Sequence, residues 1–176
     1  MRITDESIER IPVLESDVLS EEHRETLRNE QRELLRFIRD DDDGTEAVAY
    51  YTLTMERLNR YKGDPGAWQV FPTRYNIPHI AMHNHPAGGT FSLNDFHPFI
   101  SNPNTKAMYA VGHDGVVYSL EKLPFCEAAN AIHVFIDAAK NAPNPKENLN
   151  KFVDFIDEVY TAIHKFGFVY RKGLCL

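Results

Sequence analysis

A chain of 176 residues with 43% apolar content is long enough for one domain with a real core. It holds no apolar run near the ~20 residues of a membrane helix. Its opening Met1-Arg2-Ile3-Thr4-Asp5-Glu6 lacks an apolar signal core, so a cytoplasmic protein with no membrane partner is expected. A net charge of −7 argues against nucleic acid as partner, and the one arginine cluster (Arg24, Arg28, Arg32, Arg36 and Arg39) is interleaved with glutamates as a solvated helix face.

Residues 1–19 show no sustained period and contain Pro12, so they are expected to be extended. Ser20 fits a helix N-cap, Glu21 and Glu22 suit the first turn, and Leu27, Leu34, Leu35 and Ile38 recur at helical spacing. The Asp40-Asp41-Asp42-Asp43-Gly44 run stops that helix. It lacks the spaced ligands and closing Glu of a calcium loop and is taken as a solvated turn. Residues 45–55, rich in Val, Tyr and Thr, predict a strand. Gly63-Asp64-Pro65-Gly66 predicts a turn, residues 68–71 a second strand and residues 77–85 a third. On this third strand His79, Ala81, His83 and His85 share one face, and Ile80 and Met82 the other.

Pro86-Ala87-Gly88-Gly89 opens a loop. Ser92, with Asp95 three residues on, predicts a capping box, and Pro98 keeps the helix short. Residues 106–111 and 116–120 flank His113-Asp114-Gly115, a hairpin signal. Helices are predicted over 125–141 and 146–166. The first has an apolar stripe of Ala128, Ile132, Phe135, Ile136 and Ala139; the second runs along Leu149, Phe152, Val153, Ile156, Val159, Tyr160 and Ile163. Gly167 suits a helix C′ position, before a last short strand at 168–170. Cys126 and Cys175 form no CxxC pair and are read as reduced thiols. Together these elements predict one α/β domain over 1–176, a small mixed β-sheet flanked by helices. An N-terminal helical extension covers about 1–40 and two C-terminal helices cover about 124–167.

The chemistry concentrates in residues 82–95. His83 and His85, two apart on a strand, point the same way and can share one cation. The glycine pair lets the chain turn back, so that the next helical turn presents Asp95 as a third ligand. Two histidines and a carboxylate are a known catalytic zinc set that leaves one position open. As the third residue of a capping box Asp95 would also serve the helix end, a role that competes with ligation. His79 lies on the same face and is expected at the strand surface.

The run His83-x-His85-Pro86 followed by Ser92-x-x-Asp95 resembles the H-x-H-P…S-x-x-D signature of the JAB/MPN/JAMM metalloprotease family, over roughly residues 45–120. The resemblance implies a JAB/MPN-like fold of cytidine deaminase-like type and one Zn2+ held by His83, His85 and Asp95. It implies that Ser92 assists the tetrahedral intermediate and that an upstream glutamate is the general base. Glu46 is the better match for that base, with Glu56 as rival. The finer layout is similar to JAB-type domains of bacterial and phage proteins. Six residues separate His85 from Ser92, whereas eukaryotic isopeptidases of the family have seven. The implied activity is hydrolysis of a peptide or isopeptide bond in a peptide or protein substrate, ubiquitin-like proteins included. Three other functions compete with it. A non-catalytic scaffold on the same fold would need no general base. A metal-dependent nuclease is disfavoured by the acidic charge. A zinc deaminase would need H-x-E and P-C-x-x-C, and the chain has neither.

Overall fold

The computed structural model describes residues 2–40, 44–63, 75–86, 88–144 and 147–175. The elements in chain order are α1 (Asp5–Glu9), α2 (Glu21–Ile38), β1 (Ala47–Thr52), β2 (Arg57–Lys62), β3 (His79–His85), α3 (Leu93–Ser101), β4 (Thr105–Gly112), β5 (Val117–Lys122), α4 (Ala128–Ala139), α5 (Leu149–Ala162), a 3-10 turn (Ile163–Phe166) and β6 (Phe168–Gly173). The strands form one six-stranded sheet in the order β2-β1-β3-β4-β5-β6. β3 and β4 run parallel, and every other neighbouring pair is antiparallel. Parallel neighbours need a crossover, and α3 supplies it. Among the described residues no helix is long and apolar enough to cross a membrane.

Each face of the sheet has its own core. Ala47, Ala49 and Tyr51 of β1 and Ile80 and Met82 of β3 pack with Leu34 and Leu35 of α2. On the opposite face Met108, Ala110 and Leu120 meet Phe96 of α3, Phe135 of α4 and Tyr160 of α5. With both faces covered, the inner strands need no polar side, and all six residues of β5 are buried.

Four expectations are corrected. Residues 1–19 are not wholly extended: Thr4 and Ser7 cap each other's backbone and start the short α1. β2 was not expected. Its sequence Arg-Leu-Asn-Arg-Tyr-Lys lacks apolar alternation because it is an edge strand with an exposed flank. The buried residues of α4 are Ala131 and Phe135, while Ile136 is half exposed at 51%. The helix is rolled so that Phe135 stacks on Phe96, ring centres 3.8 Å apart. The final turn of the long C-terminal helix is 3-10, ending at Gly167 with φ 80°, a left-handed conformation suited to glycine. The strand expected at 68–71, most of the turn at 63–66, and Asp41, Asp42 and Asp43 lie outside the described residues.

Two buried charges tie elements together. The Glu121 carboxylate accepts from Ser16 Oγ at 2.6 Å, Asp17 N at 2.8 Å, Tyr109 Oη at 2.8 Å and Arg171 Nη1 at 3.0 Å. This fastens the segment before α2 across β5 and β6. Lys122 Nζ donates to the Phe99 and Asn102 carbonyls at 2.5 and 2.7 Å and holds the C-terminal end of α3. Burial, with Lys106 adding to it, pulls Lys122 down to about 8. Arg171→Ala leaves the enclosed Glu121 without its cation and is expected to cost about 3 kcal/mol in urea unfolding. The exposed Arg36→Ala, which removes only surface pairs to Glu9 and Glu33, is expected to leave the midpoint unchanged.

Candidate metal centre

The site lies where β3 ends and α3 begins. β3 buries Ile80 and Met82 toward α2, which obliges His83 and His85 to face the α3 side together. Beyond His85 the chain reverses through Gly88 and Gly89, at φ 73° and 91°, a region that side-chain-bearing residues rarely enter. The reversal brings the Gly89 carbonyl to His85 Nδ1 at 3.0 Å. A carbonyl only accepts, so Nδ1 carries the proton and the neutral ring keeps its lone pair on Nε2.

α3 then starts with the expected capping box. Asp95 N donates to Ser92 Oγ at 3.3 Å, and Ser92 N and Oγ donate to Asp95 Oδ2, both at 2.7 Å. The carboxylate divides its two oxygens between the helix end and the histidines. Oδ2 holds the helix end while Oδ1 faces His83 Nε2 at 3.5 Å. His85 Nε2 lies 3.7 Å from Oδ2, and the two Nε2 atoms are 2.8 Å apart. The three ligand atoms lie within 4.8 Å of one another, so this group could hold a metal ion.

The electrostatics suit a cation. Burial drives the His83 ring down to about 4, partly opposed by Asp95, so it is neutral at pH 7. For His85 burial works downward, but the Asp95 and Glu46 carboxylates outweigh it and raise its proton affinity. Asp95 is held well below the usual carboxylate range: the two histidines and Ser92 overcome its burial. A neutral imidazole, a second one with its lone pair turned inward, both buried, and a firmly ionised, part-buried carboxylate are donors that fit a small divalent ion.

Glu46 immediately precedes β1, at the end of that strand beside His85. The β1–β3 register pairs Val48 with His83 and Thr52 with His79. Glu56 lies beyond the other end of β1, where its carbonyl accepts from Thr52 N. Glu46 interacts electrostatically with His85 and Asp95. Burial, reinforced by Asp95 and opposed by His85, raises it to about 7.

Sequence reasoning passed over two residues. Asn84, between the histidines but on the opposite face, is fully buried. Its Oδ1 accepts from Ala47 N at 2.6 Å, and its Nδ2 donates to the Thr45 carbonyl at 3.2 Å. It therefore clamps the peptide groups on both sides of Glu46. A buried amide among β-strand residues was the available signal. Phe91 is 2% exposed and packs its ring 6.0 and 6.4 Å from those of His83 and His85, walling the site from water. His79, expected at the surface, is fully buried: its ring nitrogens meet the Ile77 carbonyl at 2.8 Å and Thr105 Oγ1 at 2.9 Å. Those contacts place it at the far end of β3 from the ligand cluster.

Two outcomes are expected. Asn84→Leu strands the buried Ala47 N–H and Thr45 carbonyl and is expected to lower stability by about 3 kcal/mol in urea titration. Glu46 has its folded-state pKa raised, so its ionised form disfavours folding above about 7, and the effect is absent below the unfolded value of 4.5. In chelator, Glu46→Gln is therefore expected to melt about 3 °C higher than wild type at pH 8, with no gain at pH 4, by scanning calorimetry. No protein-family model, curated protein or solved structure matches the chain.

Proposed function

We propose that the chain is a JAMM-type zinc hydrolase with a JAB/MPN-like fold that cleaves a peptide or isopeptide bond in a peptide or protein substrate. The carrying observation is the convergence of His83 Nε2, His85 Nε2 and the Asp95 carboxylate beside a glutamate whose proton affinity is raised to about 7. A JAMM site needs these four groups, and the H-x-H-P…S-x-x-D spacing supplies three of them from one short segment.

Zinc bound by the three ligands supplies Lewis acidity, which polarises an amide carbonyl and makes water nucleophilic near neutral pH. The remaining chemistry belongs to the chain. Glu46, neither strongly acidic nor buried beyond reach, takes the proton from the attacking water and returns it to the leaving nitrogen. A group with a pKa near the working pH is suited to both transfers. Ser92 has one hydroxyl proton, and in this arrangement it points at Asp95 Oδ2. Rotating that O–H toward the substrate oxygen leaves Asp95 held by Ser92 N at 2.7 Å, so the helix cap survives the switch. Phe91 keeps the niche dry, which strengthens each of these interactions.

The test uses purified protein reconstituted with zinc, metal analysis, and two substrate sets: a degenerate peptide library and isopeptide-linked ubiquitin-like chains. Wild type is expected to bind one zinc and to cleave in a chelator-sensitive manner. His83→Ala and Asp95→Ala are expected to lose the metal. Glu46→Gln is expected to keep it and lose about 100- to 10,000-fold in kcat. Unchanged zinc content in both ligand variants, or undiminished turnover in Glu46→Gln, would refute the reading.

A further inference from the structure

Beside the metal centre lies a cavity of about 380 Å³. Phe135 and Ala138 of α4 and Phe152, Val153 and Ile156 of α5 form its outer walls. Residues 88–92 form its inner wall, and this is the loop that joins the histidines to Asp95. The two sites share a partition one residue thick. Ser92 borders the cavity and hydrogen-bonds Asp95, and Gly89 borders it and accepts from His85.

Several polar groups of that inner wall already have partners. Gly88 N donates to the His85 carbonyl, the Phe91 carbonyl accepts from Tyr160 Oη at 3.2 Å, and Thr90 Oγ1 donates to Tyr170 Oη at 2.9 Å, because the Tyr170 proton goes to the Asp157 carboxylate. The helical walls contribute only hydrocarbon. A charged or polar group set against those helical walls would lose its water without gaining a partner. An apolar group would gain from the same desolvation, and the volume exceeds the ~150 Å³ that holds a benzene ring.

We propose that this cavity is the specificity pocket for the substrate residue that contributes the scissile carbonyl, and that it takes a large apolar side chain, aromatic or branched. The inference rests on the zinc hydrolase reading. Its side of the scissile bond follows from Ser92, which stands on the cavity rim and serves the carbonyl oxygen in that reading.

Calorimetric titration with N-acetylphenylalanine hydroxamate and N-acetylglycine hydroxamate tests it, because both present the same zinc-binding head and differ only in the side chain. On zinc-loaded wild type the phenylalanine compound is expected to bind about 10- to 100-fold tighter. Chelator is expected to abolish both. Ala138→Trp and Val153→Trp fill the cavity from opposite helices, and whichever of them folds and retains zinc is expected to bring the ratio to about one. Equal affinities in wild type, with binding still zinc-dependent, would overturn the pocket and leave the hydrolase reading standing. So would a ratio that persists in a filled, zinc-retaining variant. Binding of the phenylalanine compound that ignores zinc would show a cavity unconnected with the metal and would also overturn the proposal. Failure of both compounds to respond to zinc would overturn the hydrolase reading, and this one with it.

Discussion

The arrangement turns on one carboxylate with two obligations. Asp95 closes the N-terminal end of α3 through Oδ2 and faces His83 through Oδ1. Because the same side chain starts the helix and faces the histidines, its rotamer is fixed by the backbone amide of Ser92 rather than by chance packing. The rest of α3 supports this. Lys122 grips the carbonyls at the helix's other end, and Phe96 is stacked on Phe135. A helix held at both ends and along its side can present a charged group in a dry niche without letting it drift toward solvent.

The opposite side of the site is held differently. Glu46 stands outside any regular element, and its position depends on its neighbours in the chain. Asn84 pins the peptide groups before and after it, and Gly63 N donates to its own carbonyl at 2.7 Å. The histidines and the asparagine thus divide one strand between two tasks. The odd positions face the cation site, and the even position locks the glutamate's backbone from the far side of the sheet.

The legible parts of the chain were those governed by local rules. The capping box at Ser92, the glycine reversal, the shared face of His83 and His85, and the hairpin at 113–115 each follow from a few adjacent residues, and each appears where the sequence places it. The illegible parts depend on what lies opposite. β2 is the edge strand among the described residues and exposes Arg57, Asn59 and Lys62, so its pattern resembles a loop. His79 has a polar side chain on a strand, and only the distant Thr105 and the Ile77 carbonyl make its burial affordable. The roll of α4 is set by Phe96 across the interface, which no periodicity within α4 reveals. The placing of Glu46 at the His85 end of the sheet follows from the β1–β3 register, a property of two strands rather than of either alone.

The β3-to-α3 connection has a consequence for assembly. All three cation donors fall within thirteen positions of one another, whereas the glutamate reaches them only after a strand some forty positions earlier has docked antiparallel. A segment that short closes at little loop-closure cost, so an ion held by these candidate donors would stabilise the reversal before the sheet is complete. The candidate ion site and the glutamate beside it are therefore separable in assembly: the first needs only a local turn, the second a completed strand pairing.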